Sequence, residues 1–244
     1  RRRHTRYPLV TGVQTCALPI SPSMKAITLQ PNLVVQVKNA LLEEITSGKL
    51  NPGERIIQEQ IAQALGVSRH PVQQALLLLK NQGVLKEATG RGLVVAPLDA
   101  EHVEDIYEMR AAIEGMACRL AATLSADHAR KQGESMIEAG RKAVASGSVP
   151  RMIAADIKFH EFLYSLSGNP LIGPAMNTHL TYTQRVMGEV LIQDQEPWDI
   201  WAQHENILKA IASGDANLAE KLAIEHLTHA SKFMVTRLKA LQTE

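Results

Sequence analysis

Asp156 and His160 stand four residues apart in DIKFHEFLYSLSGNPL, so on a helix they share one face within a single turn. Ile153, Ile157, Phe159 and Leu163 surround them, which turns a carboxylate and an imidazole toward an apolar interior. The same periodicity puts His204 with Trp201, Ile207, Leu208 and Ile211, and His226 with Leu222, Ala223, Ala230 and Phe233, so both histidines face inward. His229 shares its stripe with Glu225 and Lys232 and faces water. A lone inward histidine is ordinarily a hydrogen-bonded core residue. Three imidazoles and a carboxylate together cost too much to bury unless they share a partner, and a divalent cation supplies one. The donor set suits zinc first, with nickel, manganese or iron as alternatives. Three or four protein ligands leave open positions that the carboxylate oxygens of a small organic acid can fill. Arg110 and Arg185 are candidates to grip a second carboxylate by a forked, charge-assisted contact, and inter-helix ion pairing is the other reading of each.

The same cation admits a second chemistry, a hydrolase in which Glu161 or Glu205 acts as base toward bound water. Each glutamate directly follows a histidine, however, and on a helix is turned about 100° from the ligand face. Position 164 is Tyr, so no HExxH motif is present.

The elements that must position these groups are helices. From Asp99 onward six stretches of helical period, roughly 99–124, 126–146, 150–167, 170–191, 197–213 and 215–241, are separated by Gly, Pro or Ser signals, and an antiparallel all-α bundle is their natural packing. Before Asp99 the pattern differs. Leu33, Val34, Val37, Leu41 and Ile45 mark a first helix ending near Gly48, and Pro52-Gly53 turns the chain. Ile57, Ile61, Ala62 and Leu65 mark a second, stopped by Gly66. Ser68 offers a hydroxyl to cap a third helix that runs to about Gln82, with Pro71 in its first turn and Leu76, Leu77 and Leu79 further on. Val84-Leu85-Lys86 and Leu93-Val94-Val95 flank Thr89-Gly90-Arg91-Gly92 as a β-hairpin. Two short helices joined by a tight Gly-containing turn, followed by a hairpin, describe a winged helix-turn-helix.

At SGKLNPGERI, QIAQALGVSRHPVQQAL and the Gly90-Arg91-Gly92 hairpin, in that order over about 65 residues, the chain resembles the DNA-binding domain of GntR-family transcription regulators. The resemblance implies that Ser68, Arg69 and His70 at the start of the third helix meet the major groove, and that Gly90 and Arg91 in the wing approach the minor groove. Arg69 is suited to a bidentate pair with guanine. Gln73 and Gln74 follow the Pro-Val pair where that family has Arg then Glu. The loss of one cation removes a released counterion and a guanine contact, which either weakens binding or shifts the operator toward adenine, the natural partner of Gln. DIKFHEFLYSLSGNPL, HENILKAIASGD and AEKLAIEHL resemble the FCD effector domain of FadR-type GntR regulators, in its six-helix, VanR-like form. This implies Asp156, His160, His204 and His226 as metal ligands, and RAAIEGMACRLAA is similar to that domain's first helix, where Arg110 and Glu114 recur.

Composition agrees. Of 244 residues, 45% are hydrophobic and only 4% aromatic, the balance of a globular chain whose core is built from aliphatic helices. No apolar run approaches the roughly 18–20 residues of a bilayer span. Cys16 and Cys118 fit neither a zinc spacing nor a disulfide framework, and a reducing cytoplasm suits them. Residues 31–97 carry 7 basic against 5 acidic side chains and residues 98–244 carry 14 against 20, a nucleic-acid-facing part joined to an acidic one. Residues 1–23 read as a non-native tail, because Val10–Ile20 back-translates to a DNA-library adapter; the native start falls at or near Met24.

The expectation is therefore a mainly α protein with an N-terminal winged helix-turn-helix over 31–97 and a C-terminal FCD-like bundle over 99–241. It is expected to act as a homodimeric, non-enzymatic repressor that binds double-stranded operator DNA and senses a small carboxylate through a metal. A DNA-binding protein whose metal only staples the bundle is the remaining alternative.

Overall fold

Helical periodicity before Asp99 becomes three helices in the computed structural model, which describes residues 33–193 and 200–242. The expected tail over 1–23, with Cys16, lies outside the described residues. Helix α1 (Leu33–Thr46) buries Val37, Leu41, Leu42 and Ile45, whereas Leu33, expected on that stripe, is exposed at the helix start. Helix α2 (Gln58–Leu65) ends at Gly66, whose φ of 63° takes the left-handed conformation that lets its N–H cap the preceding carbonyls. Only Ala62 is fully buried there; Ile57 precedes the helix, and it and Leu65 stand exposed. Helix α3 (Arg69–Asn81) buries Pro71, Val72, Ala75, Leu76 and Leu79. Leu77 lies on the outer face instead of the core, and Ser68 occupies the cap position without making a side-chain cap hydrogen bond.

The hairpin is β2 (Leu85–Glu87) with β3 (Leu93–Val95), antiparallel and in register Leu85 with Val95, Lys86 with Val94 and Glu87 with Leu93. A strand the sequence pattern did not reveal, β1 (Arg55–Ile56), pairs with the other edge of β3, so the order is β1-β3-β2. Two residues are too few to show alternation, and only pairing with β3 makes them a strand.

The remaining six described helices follow the expected spacing: α4 (Ala100–Leu124), α5 (Ala126–Ala145), α6 (Val149–Leu166), α7 (Ile172–Gln193), α8 (Ile200–Ser213) and α9 (Ala216–Leu241). Asp99 caps α4 and Asp215 caps α9, each accepting a backbone N–H in the first turn. Helices α4 and α9 pack along their length, α5 lies against α6 and α8, and α7 lies against α4, α6 and α9. Two clusters of buried apolar side chains result, one from Val37 to Val95 and one from Leu98 to Leu238. Helix α7 also reaches the first cluster's elements. Gly188 packs so closely on Thr46 at the end of α1 that a Cβ there would lie 2.7 Å from the Thr46 carbonyl oxygen. No described helix is long and apolar enough to cross a membrane.

Candidate metal centre and DNA-facing elements

Helices α6, α8 and α9 deliver the four expected groups to one point. Asp156 and His160 project from one face of α6, His204 comes from α8 and His226 from α9, and all are buried. His204 Nε2 lies 3.2 Å from His226 Nε2 and 3.6 Å from Asp156 Oδ1, and His160 Nε2 lies 3.7 Å from Asp156 Oδ2. One donor atom from each histidine falls within 4.8 Å of the others. Ligand atoms about 2.0–2.1 Å from a tetrahedral or octahedral ion sit roughly 3.0–3.4 Å apart. The 3.2, 3.6 and 3.7 Å separations come within a few tenths of an ångström of that, whereas the three histidine donors together spread as far as 4.8 Å and must draw in to share one ion.

The hydrogen bonds around the cluster leave the right nitrogens free. His160 Nδ1 lies 2.5 Å from Glu114 Oε2, and His226 Nδ1 lies 3.0 Å from the Gln203 side-chain oxygen. Because neither acceptor carries a proton to give, each Nδ1–H donates outward and each Nε2 presents a lone pair inward. His204 stacks on Phe159 at 3.8 Å between ring centroids and meets Trp201 edge-on, which holds its plane, while its Nδ1 has no partner. Burial, and then the neighbouring histidines, push His204 well below the ordinary imidazole range; burial, His160 and Arg110 do the same for His226 against the pull of Glu114. Both are therefore neutral donors. Burial pushes the Asp156 carboxyl up, opposed by His160 and Arg110, and its Oδ1 has no hydrogen-bond partner. An orphaned buried carboxylate oxygen beside converging lone pairs is the arrangement a cation resolves.

Arg110 belongs to this assembly. Its Nε donates to Glu114 Oε1 at 2.7 Å, one terminal nitrogen donates to Thr183 Oγ1 at 3.4 Å, and the other is buried without a partner. Burial alone would push Glu114 up, but Arg110 and His160 outweigh it and hold the carboxylate well below its usual range. Arg185 is not brought here. It is buried too, yet it donates to the carbonyl of Val84 at 3.4 Å and to that of Ala96, both at the root of the hairpin. Helix α7 borders two cores, and the Arg185 side chain serves the other one. Glu161 is exposed, and Glu205 pairs outward with Arg141 at 2.7 Å and Lys209 at 2.9 Å, so neither candidate base faces the cluster.

Glu114 and Gln203 were not singled out as partners of the histidines. Glu114 lies on the buried stripe of α4 with Tyr107, Arg110, Ala117 and Cys118, and an ionisable pair in such a stripe is a signal that could have found it. Nothing in the sequence marks Gln203.

In the N-terminal part, Ser68, Arg69, His70 and Gln73 are exposed along the start of α3, as is Gln74. Gly90 and Arg91 are exposed at the hairpin tip, where Gly90 has φ 110° and Gly92 φ 100°. Arg69 pairs with Glu59 of α2, and its carbonyl accepts from the Gln58 side chain at 2.9 Å. Arg55 of β1 donates to the Arg91 carbonyl and so braces the hairpin loop.

Residues 33–95 match the gntR family of bacterial regulatory proteins, and residues 105–229 match the FCD domain. The chain belongs to the GntR family and carries an FCD domain. This GntR transcriptional regulator is 28% identical over 198 residues to the HTH-type transcriptional regulator YdhC of Bacillus subtilis, covering 80% of this chain and 88% of that one. It is 28% identical over 193 residues to the probable D-xylose utilization operon transcriptional repressor of Paenarthrobacter nicotinovorans, 79% of this chain and 84% of the relative. The HTH-type transcriptional repressor RspR of Escherichia coli is 23% identical over 197 residues, 81% and 86% of the two chains. Among solved structures, E. coli McbR/YncC superposes on the GntR regulator with a TM-score of 0.71 at 23% identity, covering 85% of this chain and 98% of the other, which shows a shared fold.

Proposed function

We propose that this GntR regulator is a cytoplasmic homodimeric repressor whose C-terminal bundle senses a small carboxylate through a divalent metal. Asp156, His160, His204 and His226 would hold the ion. The observation that carries the reading is the convergence of these four buried donors from three helices, with three of their separations at 3.2, 3.6 and 3.7 Å. When bound, the ion supplies open coordination positions for carboxylate oxygens, with zinc the first choice for this donor set and nickel, manganese or iron the alternatives. Arg110 serves the effector end, because its unpartnered terminal nitrogen is a buried donor awaiting an acceptor, and a carboxylate is the best acceptor for it. Glu114 and Gln203 orient the imidazoles of His160 and His226.

At the DNA end, Arg69 is released from Glu59 to reach a base edge, with Ser68, His70 and Gln73 beside it on the exposed start of α3; Gly90 and Arg91 approach the minor groove. An effector that binds the DNA-incompetent arrangement more tightly weakens operator affinity by that difference, typically ~1–3 kcal/mol. Two relatives named as repressors, the probable D-xylose utilization operon repressor and RspR, support relief of repression as the sign.

Metal analysis of the purified chain tests the reading directly. About one divalent ion per protomer is expected, lost for the most part in His204→Ala. Full retention by His204→Ala, or no ion in protein prepared with zinc, rejects the ligand set.

A further inference from the structure

Two buried arginines lie either side of α7, and neither position follows from packing alone. Arg110 reaches α7 from α4 and contacts Thr183; Arg185 leaves α7 for the root of the hairpin. On a helix, positions two apart point about 200° from each other, so Thr183 and Arg185 occupy opposite faces of one rigid rod. From the metal cluster outward, His160 Nδ1 meets Glu114 Oε2 at 2.5 Å, Glu114 Oε1 accepts from Arg110 Nε at 2.7 Å, and Arg110 donates to Thr183 at 3.4 Å. Across α7, Arg185 donates to the carbonyls of Val84 and Ala96. These two carbonyls bracket the hairpin. Val84 immediately precedes β2, Ala96 immediately follows β3, and the Ala96 N–H itself donates to the Val84 carbonyl at 3.0 Å.

Arg185 is costly where it is. Its guanidinium is buried with two peptide carbonyls as its hydrogen-bond acceptors, and the Glu189 carboxylate acts on it through space without offsetting the burial. What the side chain contributes in return is a hold on both strand roots. The surroundings give α7 purchase on the N-terminal part. Tyr182 packs on Gly83 and its hydroxyl accepts the Asp99 N–H at 3.4 Å, while Gly188 admits the Thr46 backbone at the end of α1.

We infer that Arg185 is a positioning residue for the wing, the output end of a hydrogen-bonded relay that runs from His160 through Glu114, Arg110 and Thr183 across α7 to the strand roots at Val84 and Ala96. The relay's function as a ligand response rests on the metal reading above, but its mechanical part does not. A shift of Glu114 and Arg110, caused by occupation of the cluster, moves the Thr183 face of α7, and the rod carries Arg185 and the wing with it. The wing that approaches DNA is thereby set by the interior of the other core.

Amide hydrogen exchange of the full-length protein, read on peptides covering residues 84–96, tests this without an operator. In metal-free protein, Thr183→Val removes a hydroxyl that touches no residue of the hairpin, yet it is expected to change exchange over 84–96 by about 2- to 30-fold. In an Arg185→Met background the same Thr183 substitution is expected to have no further effect there. Arg185→Lys keeps the charge but loses the fork, so it should show an intermediate response and guards against misfolding of the methionine variant. Added zinc should change exchange over 84–96 in the wild type and not in Arg185→Met, with zinc stoichiometry equal in both. Unchanged exchange in Thr183→Val, or an effect of that substitution that persists undiminished without Arg185, overturns the relay. Failure of the wild type to bind zinc would instead overturn the metal reading, and the Thr183 and Arg185 substitutions would still decide the relay.

Discussion

Replacing Glu114 by Ala removes one carboxylate that satisfies two buried cationic or donor groups at once. Its Oε1 accepts from Arg110 at 2.7 Å and its Oε2 from His160 at 2.5 Å, and all three side chains are about 98% removed from solvent or more. After the substitution the Arg110 guanidinium keeps the 3.4 Å contact to Thr183 and the Tyr107 ring face at 5.1 Å, and the Asp156 carboxylate acts on it only through space. Breaking a buried pair from one side typically costs ~3–5 kcal/mol, because the surviving charge is left without compensation. At roughly 2–4 °C per kcal/mol for a chain of this size, the midpoint should fall by about 6–20 °C. Thermal or urea unfolding in the presence of a chelator measures this apart from any metal. The effect has a pH signature. The folded carboxylate titrates below its ordinary 4.5, so its contribution is whole above that value and fades as pH falls beneath it; the gap between wild type and variant should therefore narrow from pH 7 to pH 3. Metal affinity should fall separately by about 10- to 100-fold, since His160 loses the acceptor that fixes its tautomer. A midpoint change under 2 °C in chelator, or a gap that widens on acidification, would refute the argument that Glu114 is the charge-bearing partner of both groups.

Other expectations follow from particular contacts. Gly140→Ala would set a Cβ about 2.1 Å from the Trp201 ring, so it should destabilise the bundle by ~1–3 kcal/mol in urea unfolding and, because Trp201 meets His204 edge-on, weaken zinc binding as well. Arg69→Ala should abolish preference for a DNA site selected from random sequence by the wild type, whereas Arg91→Ala should weaken binding evenly across sequences; gel-shift titrations at several salt concentrations separate the two. Cys118 is fully buried and burial pushes its thiol up, so in a Cys16→Ala background the native protein should not react with Ellman's reagent until denatured.

Much of the candidate site was legible because helical period is a local property. Asp156 and His160 must share a face if their segment is a helix, and the apolar companions of His204 and His226 dictate that both point inward. The six helices after Asp99 and the hairpin around Gly90 were readable for the same reason, from spacing and turn residues a few positions apart. Local pattern fails where one segment offers two apolar sides or too few residues. Ile57 and Leu65, on one apolar-periodic stripe, stand exposed, and β1 has no signature of its own.

What lay within one segment, then, the amino-acid order determined by itself: which side chains form elements, which face inward, and that four of them are metal-ligand types. Only the tertiary structure decided which inward groups meet. It joined Glu114 to His160 across 46 positions and Gln203 to His226 across 23, and it sent Arg185 to carbonyls 101 and 89 positions away. Periodicity gives the direction of a side chain about its own axis, whereas its partner depends on which helix packs there and at what height. Those are set by the fit of whole faces to one another.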